Sequence, residues 1–186
     1  MPLSLELPIT TERLILRPFT RGDVEAVFAY RQREDVARYL LDEPMTRETC
    51  TEAVKLRVNQ TSFVQQDDRI TLAVERRAEN DLIGEITMIW RSIADRQAEV
   101  GYILNPEFHH RGYATEAVRA FIDKSFAELD LHRIFARCDA RNTGSYLLME
   151  RLGMRREAYF REYRYFRGAW DDQYVYAVLR REWPTG

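Results

Sequence analysis

Apolar residues recur every three to four positions from Ala114 to Leu129. Ala114, Ala117, Val118, Phe121, Ile122, Ser125 and Leu129 share one largely apolar side, and that period predicts an amphipathic helix packed inward. Upstream, AEVGYIL from Ala98 to Leu104 predicts a short strand. Alternation puts Glu99, Gly101 and Ile103 on one of its faces. Between strand and helix runs NPEFHHRGYAT, Asn105 to Thr115. Strand, glycine-bearing loop and helix start together form a layout that holds a phosphate. The first N–H groups of a helix lack internal partners and carry partial positive charge. Gly112 and Ala114 leave the backbone open to close approach.

The remaining pattern alternates α and β. RLILR, Arg13 to Arg17, predicts a first strand, and Thr20 with Asp23 forms a capping-box-like helix start. That helix buries Val24, Val27 and Phe28 and extends to Arg33. A short helical piece is expected over Asp35–Leu41, broken by Asp42-Glu43-Pro44. Thr46 caps a helix with Cys50, Ala53, Val54 and Val58 on one face. Strands follow at Ile70–Glu75 and Leu82–Trp90, joined by a turn at Asn80-Asp81. After the long helix come a strand at Arg133–Ala140, a helix capped by Asn142 and ended by Gly153, and strands at Tyr159–Phe166 and Trp170–Leu179. The unit from Glu99 to Asp139 is a strand–helix–strand crossover, which requires parallel neighbours and a right-handed connection. The expected fold class is mixed α/β, a mixed sheet with helices on both faces, in a single domain over residues 1–186.

Composition narrows the function classes. The chain has 186 residues, 45% of them hydrophobic and 31% charged, with net charge −2, which fits a globular protein with a substantial core. This balance gives no electrostatic reason to expect nucleic acid or anionic membrane as partners. No apolar run approaches a membrane span. Cys50 and Cys138 are the only cysteines and lack motif neighbours, so free thiols and a cytoplasmic location are expected. MPLSLELPITTER has neither a basic start nor an apolar h-region. His109 and His110 lack partners at ligand spacing, so no metal is expected.

The loop lacks the Gly-Lys-Ser/Thr of a P-loop and the G-x-G-x-x-G of a dinucleotide site. HHRGYATEA after AEVGYIL instead resembles the acetyl-CoA pyrophosphate loop of the GNAT N-acetyltransferase superfamily, Gln/Arg-x-x-Gly-x-Gly/Ala. Gly112 and Ala114 match, and His109 stands where Gln or Arg is usual. Asn142-Thr-Gly-Ser145 followed by Glu150-Arg-Leu-Gly153-Met154 is similar to a segment of the RimJ/RimL-like branch, the ribosomal-protein N-terminal acetyltransferases. Thr11–Asp23 and the closing stretch from Gly168 also resemble that branch, so the likeness spans nearly the whole chain. It implies a GNAT fold: a mostly antiparallel sheet whose two parallel central strands splay apart to admit the cofactor. It implies acetyl-CoA as co-substrate, bound by the backbone of His109, His110, Arg111, Gly112, Tyr113, Ala114 and Thr115, by the strand edge at Tyr102, Ile103 and Leu104, and by Asn142 and Ser145.

Acetyl transfer to an amine requires a proton acceptor, donors to the oxyanion and a hydrogen bond to the departing thiolate. Glu99 resembles in placement the glutamate base of histone-type acetyltransferases, and the competing reading is a salt-bridged sheet residue. Glu85 is the second carboxylate. Where many relatives carry a tyrosine for the thiolate stands Met149, which has no proton to give; Ser145 is the expected replacement, and helix capping is the other role open to it and to Asn142. The aromatic group Tyr159, Phe160, Tyr163, Tyr165, Phe166 and Trp170 serves either sheet packing or an amine pocket. Asp171 and Asp172 bind an ammonium or an arginine, or face solvent. The expected function is direct acetyl transfer from acetyl-CoA to a primary amine, either a protein N-terminal α-amine or a small amine, by a monomer or homodimer. The alternative is a non-catalytic acyl-CoA-binding or regulatory protein on the same fold.

Overall fold

The apolar alternation of LILRP makes Leu14–Pro18 a strand with Leu14 and Leu16 fully buried. The computed structural model describes residues 2–40 and 42–184. In chain order the strands are β1 (Leu3–Ser4), β2 (Ile9–Thr10), β3 (Leu14–Pro18), β4 (Ser62–Phe63), β5 (Arg69–Arg76), β6 (Asp81–Ser92), β7 (Gln97–Leu104), β8 (Arg133–Asp139), β9 (Arg155–Phe166) and β10 (Ala169–Leu179). The helices are α1 (Val24–Arg31), α2 (Glu34–Ala37), α3 (Arg47–Arg57), α4 (Tyr113–Glu128) and α5 (Thr143–Arg151). None of the described helices is long and apolar enough to cross a membrane.

Eight strands form one sheet in the order β2-β3-β5-β6-β7-β8-β10-β9, and β1 pairs with β4 in a separate two-stranded sheet. Every neighbouring pair in the large sheet is antiparallel except β7–β8, which is parallel. Helix α4 supplies the crossover between those two strands, as a parallel connection requires. Two apolar clusters cover opposite faces. The larger includes Val100, Leu104, Phe121 and Ile122 and lies under α4 and α5. The smaller includes Phe19, Val27, Tyr30, Cys50 and Val54 and lies under α1 and α3. Strand β7 feeds both, because successive side chains point to opposite faces: Tyr102 packs against the first cluster and Ile103 against the second.

The expected elements are present, with shifted ends. The first helix begins as a 3₁₀ turn at Arg21–Asp23 before α1. There the Asp23 carboxylate accepts from the Thr20 N–H at 2.7 Å and from both Arg17 terminal nitrogens at 2.8 and 2.9 Å. The piece expected over Asp35–Leu41 is a single turn, α2; Leu41 itself lies outside the described residues. Strand β9 starts at Arg155, four residues before the expected start at Tyr159. It is an edge strand with most residues exposed, so Arg155, Arg156 and Glu157 leave no alternation to read. Strands β1, β2 and β4 have two residues each, too short to carry a period.

Candidate active site

Strands β7 and β8 pair only at Gln97–Arg133, Ala98–Ile134 and Glu99–Phe135. Beyond those positions β7 stays with β6 as far as Leu104 opposite Gly84, and β8 stays with β10 as far as Asp139 opposite Gln173. The sheet therefore opens into a wedge between Val100–Leu104 and Ala136–Asp139. The edge of β7 facing the wedge is unpaired, as a strand edge must be to accept an extended ligand. Gly84 keeps the β6 side tight: a Cβ there would lie 2.4 Å from the Ile103 carbonyl oxygen.

At the end of β7 the chain enters the predicted loop. The Asn105 side chain accepts from the Glu107 N–H at 3.2 Å and starts a 3₁₀ turn, Pro106–Phe108. The ring Nε2 of His109 lies 3.1 Å from the Leu104 carbonyl oxygen, so the residue at the Gln/Arg position folds back onto the strand. His110 has φ +60° and Gly112 φ +82°. Two left-handed residues in three turn the loop so that α4 starts at Tyr113. The first intrahelical bond is Glu116 N–H to Gly112 carbonyl, at 3.1 Å. Among the described residues, the backbone N–H groups of His110 through Thr115 have no acceptor. Six open donors at the positive end of a sixteen-residue helix form an anion cradle beside the wedge.

The cradle is braced from the turn between β2 and β3. The Glu116 carboxylate accepts from the Thr11 hydroxyl at 2.6 Å, the Arg13 N–H at 2.9 Å and the Arg13 Nε at 2.7 Å. Burial pushes this carboxyl's pKa up, but the bonds from Thr11 and Arg13 outweigh it and hold it below the usual carboxylate value. Arg13 also donates to the Arg111 carbonyl at 3.0 Å and stacks over the Tyr113 ring at 4.6 Å. Arg13 is thus neutralised by Glu116. Arg111 and Arg151, by contrast, make no ion pair among the described residues, and Arg151 reaches the Thr115 hydroxyl at 3.4 Å.

Across the wedge, the Asn142 side chain accepts from the Ser145 N–H at 3.1 Å and caps α5. The capping role is therefore realised. Ser145 also has a partner on β7: its Oγ lies 2.9 Å from the Tyr102 hydroxyl, which donates to the Ser145 carbonyl at 3.1 Å. Burial pushes the Tyr102 phenol well up, so it stays a neutral O–H. Cys138, buried on β8, has its thiol pushed up to about 11, chiefly by burial. At neutral pH it is a thiol and not a nucleophile. Met149 is 1% exposed and belongs to the core.

Glu99 sits on the other face of β7. Its two oxygens accept from Arg91 Nε at 2.7 Å and from Arg137 Nε and Nη2 at 2.9 and 2.8 Å. Three of the roughly four acceptor sites of this carboxylate are thus taken by guanidinium donors. Glu85, 4% exposed, accepts from the Tyr30 hydroxyl at 3.2 Å and from Arg57 at 2.9 Å, with Arg31 at 3.9 Å. Among the described residues, nitrogens of Arg31 and Arg57 remain buried there without hydrogen-bond partners.

A cavity of about 350 Å³ lies between α2 and the β9–β10 hairpin, lined in part by Glu34, Arg38, Tyr39, Arg141, Phe166 and Asp171. It adjoins the C-terminal end of β8, since Arg141 directly precedes the α5 cap. Asp171 pairs with Arg141, and Asp172 accepts from the Tyr159 hydroxyl and, at 2.8 Å, from the Glu162 N–H. Of the aromatic group only Phe166 lines the cavity; Tyr159, Phe160, Tyr163, Tyr165 and Trp170 are exposed along the hairpin. The sequence named Tyr102 for its backbone alone and missed Tyr39 and Arg141. Alternation placed Tyr102 opposite Glu99, but no pattern pointed to its partner on α5.

The wedge between parallel strands opens beside a helix start whose backbone N–H groups, among the described residues, have no acceptor, an arrangement suited to an extended anionic ligand. Residues 13–155 match the acetyltransferase (GNAT) domain family, and the chain belongs to that family and is an N-acetyltransferase. It is 35% identical to the uncharacterized N-acetyltransferase YnaD of Bacillus subtilis (strain 168), over 94% of this chain and 98% of that one. The crystal structure of a GNAT-family acetyltransferase from Bacillus anthracis superposes with TM-score 0.82 at 33% identity, covering 98% of this chain and 100% of that one. A spermidine N-acetyltransferase from Vibrio cholerae, solved with CoA and spermine, shares the fold at TM-score 0.79 and 23% identity, covering 92% of this chain and 98% of that one.

Proposed function

We propose that this chain moves an acetyl group from acetyl-CoA directly to a primary amine, in the manner of the RimJ/RimL-like branch, with a protein N-terminal α-amine or a small amine as acceptor. The observation that carries this reading is the run of six unpartnered N–H groups from His110 to Thr115, set at the mouth of the wedge. The diphosphate occupies that cradle, with Arg111 and Arg151 beside it. The pantetheine arm follows the open edge of β7 at Tyr102, Ile103 and Leu104 and meets Asn142 across the gap. Strand-edge N–H groups there face the thioester carbonyl, where oxyanion charge develops. Ser145 gives the departing sulfur a hydrogen bond. Glu99 is the base this reading names, acting when Arg91 or Arg137 releases it. Transfer is direct in this reading: neither cysteine is placed as a covalent relay, and burial pushes the Cys138 thiol up to about 11. The cavity beside Tyr39 and Phe166 receives the acceptor.

Met149, at the position where the family resemblance implies a tyrosine, favours a second reading, an acyl-CoA binder without turnover. Titration calorimetry with acetyl-CoA, followed by thiol release against peptide N-termini and small amines, separates the two. Binding with amine-dependent release supports transfer, and the responding amine identifies the acceptor class. Binding without release across the panel supports the binder, and no binding overturns both.

A further inference from the structure

Resting on the acetyl-transfer reading, we infer that Tyr102 is a positioning residue for the thiolate: its hydroxyl spans the wedge and turns the Ser145 O–H toward the departing sulfur. The phenol starts on β7, three residues past the last β7–β8 pair, and ends on the first turn of α5. It is therefore a crossbar under the slot where the two strands have parted. Three oxygens share two protons there: the Tyr102 hydroxyl, Ser145 Oγ at 2.9 Å and the Ser145 carbonyl at 3.1 Å. If Ser145 donates to Tyr102, Tyr102 donates to the carbonyl and no O–H faces the slot. If Tyr102 donates to Ser145 Oγ, the serine proton is free to turn outward. Negative charge on sulfur selects the second arrangement, and a donor chain of this kind strengthens its terminal bond. The Ser145 carbonyl is the resting acceptor that lets Tyr102 switch without losing its bond.

The balance of the step limits what the pair does. The amine nitrogen forms the new bond to the acetyl carbon, the C–S bond breaks with its electrons on sulfur, and the proton lost by nitrogen ends on sulfur as CoA thiol. Tyr102 and Ser145 rearrange hydrogen bonds and return to their starting protonation. Because burial keeps the phenol protonated, Tyr102 is not a net acid, and its removal lowers the rate without introducing a new ionisation.

A double-mutant cycle on the full chain tests this, using the acceptor amine found by thiol release. Tyr102→Phe is expected to lower kcat about tenfold, the scale of one lost hydrogen bond. KM for acetyl-CoA and the melting temperature should stay near wild type. In a Ser145→Ala background the same substitution should have no further effect on kcat, because Tyr102 acts through Ser145. Unchanged kcat in Tyr102→Phe, or an equal loss in both backgrounds, overturns the inference while leaving acetyl transfer intact. Wild-type protein that binds acetyl-CoA but releases no thiol with any amine overturns the transfer reading and this inference with it.

Discussion

The two faces of strand β7 treat polar groups in opposite ways. Toward α1 and α3 lie two carboxylates, Glu85 and Glu99, and each is taken up by guanidinium groups. Toward α4 and α5 lie neutral donors, the Tyr102 and Ser145 hydroxyls and the open amides that follow the strand. The second set holds a run of open backbone donors beside the wedge, whereas the carboxylates of the first are engaged by guanidinium groups. A carboxylate on a central strand looks like a base in sequence, yet in a chain whose cations are arginine except for Lys55 and Lys124 it is readily captured in a forked ion pair. Neutral hydroxyls and open amides on one side and forked ion pairs on the other set the two faces of this strand apart.

Four substitutions test that contrast. Glu85→Ala should have the largest effect, because among the described residues it leaves buried Arg57 without a counter-charge and Arg31 with Asp42 alone, at 3.4 Å. A loss of roughly 3–5 kcal/mol of stability is expected, read as a lowered urea midpoint; a small loss would show that the buried arginines find other acceptors. Gly112→Val forces a β-branched residue to φ +82° and brings its Cβ to 3.3 Å from Arg13. Acetyl-CoA affinity should fall by on the order of 100-fold or more in calorimetry, since the cradle amides lose their aim. Unchanged affinity would remove the loop from the cofactor site.

Glu99→Gln probes the one residue both descriptions claim. As base, it should lower kcat about tenfold or more with acetyl-CoA affinity unchanged. Normal turnover across pH with a lower melting temperature would assign Glu99 to the arginine clamp alone. The smallest effect concerns Glu116, whose carboxyl is held below its usual value by Thr11 and Arg13 against the opposing push of burial. Its folded pKa is the lower one, so its contribution is complete above the unfolded value and fades as pH falls through the folded value. Glu116→Gln should therefore flatten the acid limb of the melting temperature below about pH 4.5, and an unaltered acid limb would show that other carboxylates carry it.

Legibility in the sequence followed the length and one-sidedness of each element. Helix α4 was visible because Ala117, Val118, Phe121 and Ile122 are buried on one face over sixteen residues. The cap of α5 was visible because Asn142 acts within its own turn. The first four residues of strand β9, three of them charged, were missed, since an edge strand with most residues exposed has little burial to encode. The candidate site divided along the same line. The loop from His109 to Thr115 was legible as a contiguous motif. The partners of Glu99 were not, because Arg91 is eight residues away and Arg137 thirty-eight.

By itself the sequence determined what local physics decides: the order of the longer strands and helices, the left-handed stop at Gly153, the helix caps and the absence of a hydroxyl at position 149. Tertiary structure alone decided which groups remain free to bind. It took both oxygens of Glu99 and joined Tyr102 to Ser145 across 43 residues. It also parted β7 from β8 after three paired positions. The reason is that a hydrogen-bonding group offers its ligand only what its neighbours in space leave unsatisfied, and those neighbours come from distant parts of the chain.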